Sequence, residues 1–231
     1  MKCDRVVVLC PMRIEYRAVS RAIRAAGIGG EFEGVSVVQT GVGKEAVVRA
    51  VREQCAGRTD IRLILAGACG GLQSVGDVPR IARIIDEHGG KWNAGDDGVT
   101  LIGVDRIVSS PHDKRQLASG TGAAIVDMES HGFAAECVRL GTRWSVVRGV
   151  SDTPEETLPG EVLGWITPVG DTRGARAAAD MLRRPRLIGH VVPVLRRSRR
   201  VLRLVGERVV EVIRAGRPAG VNTGLGGGEG G

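Results

Sequence analysis

Residues 61–72 read IRLILAGACGGL, an apolar run that leads directly into a glycine-rich segment. A strand that is covered on both faces is apolar throughout, so residues 61–66 predict a buried strand of a layered domain. The glycines that follow allow backbone N–H groups to approach a ligand closely. In open α/β sheets ligands bind at such carboxyl ends, and the stretch therefore predicts a strand together with a binding loop.

Strand signals alternate with helix signals along the first 150 residues. Runs rich in β-branched residues mark strands, and apolar residues three and four positions apart mark helices. Strands are predicted at 5–10, 34–40, 123–126 and 144–150, and helices at 12–26, 44–55 and 129–140. The apolar runs at 78–85 and 99–108 suggest a hairpin. This alternation predicts an α/β domain with helices layered on a sheet, and 231 residues suffice for one large domain.

The C-terminal part of the chain has a different composition. Apolar residues at steps of three and four stand opposite a cluster of arginines, which predicts a basic amphipathic helix over 187–215. Eight of the sixteen residues in 216–231 are glycine, so this tail is expected to be disordered. The folded domain that precedes the helix is assigned to residues 1–186.

The formal net charge of +7 is concentrated near the C-terminus. Residues 171–217 hold thirteen arginines against four acidic residues, a charge of +9 that leaves −2 for the rest of the chain. No zinc-finger, RRM or KH motif is present, and nucleic acid is not an expected partner. The cluster of Arg196, Arg197, Arg199 and Arg200 suggests either peripheral contact with an anionic membrane or the solvated face of a packed helix.

The cysteine and histidine content indicates a reducing compartment and no metal site. The five cysteines show no C-x-x-C spacing, and the four histidines are scattered along the chain. The N-terminal apolar run is too short for a signal peptide, and no run reaches the roughly 20 apolar residues of a membrane span. We expect a cytoplasmic protein that needs neither a metal nor another cofactor.

Two carboxylates at predicted strand ends are candidates for chemistry. Glu129 follows the strand at 123–126, and Asp152 follows the strand that carries Arg148 near its end. Adjacent strands would bring the three side chains within reach of each other. The residues by themselves also allow a structural interpretation, in which Glu129 begins a helix, Asp152 forms a turn and Arg148 is their ion-pair partner.

Five motifs in order bear on this choice. They are PMRIEY at 11–16, TGVGK at 40–44, GACGGL with VGDV at 67–78, VDMES at 126–130 and RGVSD at 148–152. Together they resemble the ordered motifs of the purine nucleoside phosphorylase and 5′-methylthioadenosine/S-adenosylhomocysteine nucleosidase superfamily. The continuation, HGFAAECVRLG at 131–141 and SDTPEETLP at 151–159, resembles its hopanoid-associated nucleosidase branch. The resemblance implies a catalytic domain over 1–186 with a three-layer α/β fold, in which helices flank a central mixed sheet.

The resemblance also implies three catalytic residues for cleavage of a purine glycosidic bond. Asp152 would hold or deliver a proton at purine N7, Glu129 would hydrogen-bond the ribose 2′-hydroxyl, and Glu15 would activate water. These roles suit an oxocarbenium-like transition state, which needs a stabilised cationic ribose and a protonated leaving base. The substrate-binding residues would be Met128, Arg148, Ser151, Ala68, Cys69, Gly70, Ile107 and Val108, and the loops for the nucleophile or phosphate would contain Arg13, Thr40, Gly41 and Gly43.

Two departures from the superfamily pattern refine these expectations. The phosphorylases commonly bind phosphate with an arginine and a serine or threonine, and these places here hold Leu65 and Ala68. Loss of those contacts favours water as the nucleophile, while Arg13 resembles the first-loop arginine of some phosphorylases. Ile107 stands where the nucleosidases usually place a phenylalanine against adenine, so the identity of the base is inferred from the other motifs.

The sequence therefore predicts an N-glycosidase that releases adenine from a 5′-modified adenosine by hydrolysis. The branch resemblance suggests adenosylhopane as the substrate, with ribosylhopane as the product, in hopanoid biosynthesis. Two alternatives are a purine nucleoside phosphorylase that uses phosphate and a non-catalytic, membrane-associated binding protein on the same scaffold. Because this superfamily often forms dimers or rings, a homo-oligomer is expected.

Overall fold

The computed structural model describes residues 5–28, 34–58, 60–157, 164, 165, 167, 169–171, 183 and 186–216. The predicted disordered tail, apart from Gly216, lies outside the described residues. The strands are β1 (Arg5–Cys10), β2 (Val35–Gln39), β3 (Ile61–Gly71), β4 (Ile81–Asp86), β5 (Lys91–Asn93), β6 (Val99–Gly103), β7 (Ile125–Asp127) and β8 (Arg143–Asp152). The helices are α1 (Arg13–Ala25), α2 (Lys44–Cys55), α3 (Pro111–Thr121), α4 (Ser130–Arg139) and α5 (Arg186–Arg214).

The eight described strands form one mixed sheet. Its order is β2-β1-β3-β7-β6-β4-β5, and β8 pairs with β3. Strand β3 is parallel to β1 and β8 and antiparallel to β7, whereas β6 is parallel to both β7 and β4. The apolar stretch at 61–71 is therefore the central strand, because it pairs with three others. These features confirm the predicted α/β fold with a central mixed sheet.

Alternate residues of β1 face opposite layers of the molecule. Val7 and Leu9 belong to the core cluster that contains residues of α2 and α4, and Val6 and Val8 belong to the cluster that contains residues of α1 and α5. Successive side chains of a strand point to opposite faces, so a continuous apolar run is stable only where both faces are covered. The sheet is accordingly the middle of three layers.

The region predicted as a hairpin has a different pairing. Strands β4 and β5 form the antiparallel hairpin, whereas β6 lies parallel to β4 on its other side. The Asp86 Oδ1 atom accepts hydrogen bonds from the N–H groups of His88 (2.8 Å) and Gly90 (2.7 Å), which fixes a tight turn after β4. Strand β5 has three residues, too few to show a period of two in the sequence.

Helix α3 was not predicted from the apolar spacing, although its ends carry ordinary signals. Ser110 caps its N-terminus by accepting a hydrogen bond from the N–H of Asp113 (3.1 Å), and Pro111 occupies the first turn. Gly122 ends the helix with a φ of 70°, a left-handed conformation that favours glycine. Few of its residues are buried, which explains why apolar spacing did not reveal it.

Helix α5 packs closely on the domain along its second half. Val201, Val205 and Val209 are fully buried, and they belong to the same core cluster as Val6 and Val8 of β1. A Cβ atom at Gly149 of β8 would lie 2.2 Å from the Val201 side chain, so glycine permits this approach. Between Val201 and Val209, the apolar stripe of the basic helix is therefore used in the core of the domain.

Candidate active site

A cavity of about 400 Å³ opens where several strands end. Its lining comes from the carboxyl ends of β3, β7 and β8 and from the loops that follow β1, β2 and β6. The lining residues are Met12, Val42, Ala68, Cys69, Gly70, Arg106, Ile107, Val108, Val126, Asp127, Met128, Glu129, Ser151, Asp152 and Thr167. The structure thus brings nine of the sequence-predicted site residues to one cavity, and two buried carboxylates, Glu129 and Asp152, lie among them.

The glycine turn after β2 binds the carboxylate of Glu129. The N–H of Gly43 donates to Glu129 Oε1 at 2.8 Å, and Arg148 donates to Glu129 Oε2 at 3.1 Å. Gly43 has a φ of 94°, which is strained for other residues. Burial raises the pKa of Glu129, and the Arg148 charge opposes this rise. The loop therefore fixes a functional side chain, and Thr40 stabilises it through a hydrogen bond to the Gly41 carbonyl (2.8 Å).

Arg148 is fully buried and connects two carboxylates. Its Nε atom lies 2.6 Å from Asp127 Oδ2, and its Nη2 atom reaches Glu129. Asp127 also accepts hydrogen bonds from the N–H and hydroxyl groups of Ser130. Nearby anions hold the pKa of Arg148 above its usual range despite its burial. Arg148 therefore pairs with Asp127 and Glu129, and not with both Glu129 and Asp152, because Asp152 has a different cation, Lys114.

Glu15 lies in the first turn of α1, directly behind the cavity wall. Its carboxylate accepts hydrogen bonds from the N–H groups of Met12 and Ala68, both at 2.7 Å. Burial raises the pKa of Glu15 to about 7, and the Arg148 charge only partly offsets this effect. A Cβ at Gly67 would lie 2.5 Å from Glu15 Oε1 and 2.6 Å from Arg148 Nη1, so the absence of a side chain there leaves room between them.

Asp152 is paired with Lys114 of α3. Both side chains are buried, and the Lys114 ammonium contacts Asp152 Oδ2 directly. The Ser151 hydroxyl lies 3.1 Å from Asp152 Oδ1 and 3.1 Å from the Cys69 carbonyl. Burial raises the pKa of Asp152, while Lys114 and Ser151 act in the opposite direction. Ser151 therefore connects the aspartate to the end of β3.

The remaining predicted residues differ in their distance from the cavity. Ile107 and Val108 line it, and Ile107 keeps 48% of its surface exposed at the entrance. Arg13 is outside the lining: its side chain is 55% exposed and lies 3.6 Å from Asp171. The first-loop arginine is therefore paired with Asp171 and does not line the cavity. Leu65 is buried in the core, so it contributes nothing to an anion site.

Sequence reasoning missed three charged residues: Lys114 and Asp127, which pair with buried site residues, and Arg106, which lines the cavity. Asp127 stands inside the VDMES motif, and its position at the end of a buried strand is a signal that could have found it. Lys114 lies in a polar helix where lysine is ordinarily solvated, so no local pattern marks its burial. Its partner, Asp152, is 38 residues away in the sequence, so only the tertiary structure reveals the contact.

The arginine cluster on α5 contacts the domain as well as solvent. The Arg197 guanidinium contacts the carboxylate of Glu156, and Arg200 lies 2.7 Å from Asp77. Arg196 and Arg199 are exposed or partly exposed. Together with the buried valines of α5, these ion pairs agree with a helix packed on the domain with a solvated arginine face. Among the described helices, none combines the length and the hydrophobicity that a membrane span needs.

Comparison with known proteins identifies the fold. The model of the phosphorylase superfamily matches residues 96–183. The chain is similar to the 5′-methylthioadenosine/S-adenosyl homocysteine nucleosidase of Helicobacter pylori, with a TM-score of 0.63, 13% identity and coverage of 93% of this chain and 99% of that one. It is also similar to the futalosine hydrolase of Helicobacter pylori strain 26695 (TM-score 0.64, 13% identity, covering 92% and 98%).

A plant enzyme has a similar fold. The 5′-methylthioadenosine nucleosidase of Arabidopsis thaliana has a TM-score of 0.64 at 14% identity, with 94% of this chain and 98% of that one covered. No curated protein matches the chain. The match over residues 96–183 and the shared fold agree with the superfamily that the five motifs indicated. The hopanoid-associated branch stays a prediction.

Proposed function

We propose that this protein, which has a phosphorylase-superfamily segment and fold, is a purine nucleosidase that releases adenine from a 5′-modified adenosine. The observation that carries the proposal is the single cavity lined by Glu129 and Asp152, with Glu15 immediately behind its wall. Each carboxylate is buried and held in a fixed direction by hydrogen bonds. A site with three preorganised carboxylates suits a reaction that develops positive charge on a sugar.

The three carboxylates divide the chemistry of glycosidic cleavage. Asp152 would hydrogen-bond purine N7 and the exocyclic amine, which makes the base a better leaving group. Glu129 would accept a hydrogen bond from the ribose 2′-hydroxyl and stabilise the oxocarbenium-like sugar electrostatically. Glu15 would remove a proton from the attacking water, and a pKa of about 7 is well matched to a general base at neutral pH.

The surroundings of Glu15 support water over phosphate as the nucleophile. Arg148 Nη1 is buried beside Glu15 and has no hydrogen-bond partner among the described residues, so it could donate to a bound water. An incoming phosphate would meet the Glu15 carboxylate there. Arg13, the residue that resembles a phosphorylase arginine, is paired with Asp171. We therefore place hydrolysis first and phosphorolysis second.

The cavity entrance supports a substrate with a large apolar 5′ group, and we propose adenosylhopane on the branch resemblance. Met12, Val42 and Ile107 line the cavity, and Ile107 is half exposed. The alternative of a non-catalytic membrane-binding protein receives no support from α5, because Val201 and Val205 are buried in the domain. Contact of the exposed arginines with an anionic surface would accompany catalysis in this proposal.

The test is a screen for base release. Adenosine, methylthioadenosine, futalosine and adenosylhopane are incubated with the protein, with and without phosphate, and free base is measured. We expect adenine release without phosphate, reduced about 10²- to 10⁴-fold in Asp152→Asn and Glu129→Gln. Asp96→Asn and Glu53→Gln change exposed residues of the same types and should leave the rate unchanged.

Two outcomes would count against the proposal. Wild-type rates in both Asp152→Asn and Glu129→Gln would remove the cavity from the reaction. A strict requirement for phosphate, with formation of a ribose 1-phosphate, would establish the phosphorylase alternative instead.

A further inference from the structure

Lys114 occupies an unusual place for a lysine. It lies in the middle of α3, yet its side chain is fully buried. Its Nζ atom donates to Asp152 Oδ2, to the carbonyl of Thr153 (2.6 Å) and to the carbonyl of Glu156 (3.0 Å). An ammonium group has three N–H donors and no acceptor, so these three oxygens satisfy it completely.

The relative basicity of the two groups sets the charge of the pair. A neutral amine would match these three oxygens only if Asp152 carried the proton and donated it to the amine lone pair, and an amine is a far stronger base than a carboxylate. The site is therefore built for the ammonium form of Lys114. A buried ammonium needs a counter-charge, and the Asp152 carboxylate is in direct contact with it.

The other charged groups near Asp152 do not replace Lys114. The Glu156 carboxylate accepts from the N–H of Thr153 (2.8 Å) and from the Arg197 guanidinium, so its own charge is already paired. Cys69 of β3 is a buried thiol whose pKa is raised by burial, and it stays neutral. Lys114 is thus the cation in direct contact with Asp152.

We infer that Lys114 is a positioning residue that keeps Asp152 ionised and fixed in the free protein, so that Asp152 meets the purine as a hydrogen-bond acceptor. Lys114 does not line the cavity and acts on the substrate only through Asp152. This inference rests on the proposed function. It selects one of the two roles considered for Asp152, which are to hold a proton at N7 and to deliver one.

The proton balance follows from an ionised Asp152. Purine N7 takes up a proton from solvent, and Asp152 holds it through a hydrogen bond. When the glycosidic bond breaks, its electron pair moves to purine N9 and neutral adenine leaves. Water attacks the sugar cation and gives a proton to Glu15, which returns it to solvent. One proton is taken up and one is released, so no further reactant is required.

The first test measures the ionisation of Asp152 without any substrate. The carboxyl carbon of Asp152 is followed by ¹³C NMR as the pH changes, and its signal is assigned by its loss in Asp152→Asn. In the wild type we expect the ionised form at pH 7. In Lys114→Met and Lys114→Gln the titration should move to higher pH, since an adjacent cation favours the carboxylate. Arg115→Met removes an exposed charge next along α3 and should leave the titration unchanged.

The second test is the pH profile of kcat/KM for adenine release, which reports the ionisation of the free enzyme. In Lys114→Met we expect a loss of about tenfold or more at pH 7 that diminishes as the pH rises, because each pH unit changes the ionised fraction up to tenfold. A purely structural role would lower kcat/KM by the same factor at every pH. The Arg115→Met profile should follow that of the wild type.

Three results would overturn the inference. One is a protonated Asp152 at pH 7 in the wild type, which can be measured even if the Lys114 variants fail to fold. The others are an unchanged titration of Asp152 in folded Lys114→Met and a uniform loss of kcat/KM across pH. If the wild type releases no base from any nucleoside, the proposed function fails, while the NMR titration still decides what Lys114 does.

Discussion

The carboxyl group of Glu15 should make the free energy of unfolding fall as the pH rises. Replacing Glu15 with glutamine should remove this pH dependence. The carboxyl is buried, and its pKa rises from the ordinary value of 4.5 to about 7 on folding. The folded state therefore favours the protonated form. Between pH 4.5 and 7 the folded protein binds one more proton at this site than the unfolded chain does, so stability falls as the pH increases.

The magnitude follows from the two pKa values. One extra bound proton corresponds to a loss of about 1.4 kcal/mol per pH unit within this window. Integrated from pH 5 to pH 8, Glu15 should lower the free energy of unfolding by about 2.5 kcal/mol. Glutamine cannot ionise, so Glu15→Gln lacks this contribution. It also loses one of the two hydrogen bonds from Met12 and Ala68, at a cost of about 1 kcal/mol that is the same at every pH.

Urea unfolding at pH 5, 6, 7 and 8 measures the effect. The difference in stability between Glu15→Gln and the wild type should shift in favour of the variant by about 2.5 kcal/mol from pH 5 to pH 8. Glu45→Gln is the matched control, because Glu45 occupies the first turn of α2 and is exposed. Parallel pH dependences of Glu15→Gln and the wild type would refute the reasoning. Adenine release should be lost in Glu15→Gln and retained in Glu45→Gln.

Further predictions concern packing around the site. Gly67→Ala would place a Cβ 2.5 Å from the Glu15 carboxylate, and it should lower both thermal stability and adenine release, whereas Gly76→Ala, with nothing within 4 Å, should change neither. If Gly67→Ala keeps wild-type activity, the space beside Glu15 is unimportant. Val205→Ala should cost about 2 kcal/mol in urea unfolding because the side chain is fully buried. Arg200→Ala should lower the free energy of unfolding by less than about 1 kcal/mol. A larger loss would show that the exposed Arg200–Asp77 ion pair contributes more to stability than expected.

The site is organised as two carboxylates with separate buried cations. Glu129 is held by Arg148, and Asp152 is held by Lys114. A buried ion pair contributes little net stability, because desolvation offsets the attraction. Each ion pair instead fixes the orientation of a carboxylate. One oxygen contacts the cation, and the residue still lines the cavity. Such preorganisation lowers the reorganisation required in the transition state.

The sequence by itself determined the layered α/β architecture and most of the cavity lining. Periodicity is a local property, so the apolar run at 61–66 predicted a buried strand without knowledge of its partners. The strand ends also predicted that Glu129 and Asp152 would meet a ligand at one edge of the sheet. Their strands β7 and β8 are not neighbours as the sequence suggested, because β3 lies between them and pairs with both. The helix over 187–215 was likewise visible in its apolar spacing, and α5 spans Arg186–Arg214.

Tertiary structure alone decided how the charges are paired. Arg148 was expected near both carboxylates, but the register of β3, β7 and β8 gives it Asp127 and Glu129. Lys114 reaches Asp152 because α3 packs behind the end of β8, and a polar helix sequence contains no sign of this burial. Ionisation depends on solvation and on neighbours in space, which local sequence does not encode. The chain thus specifies its proposed catalytic carboxylates by motif and their protonation states by packing.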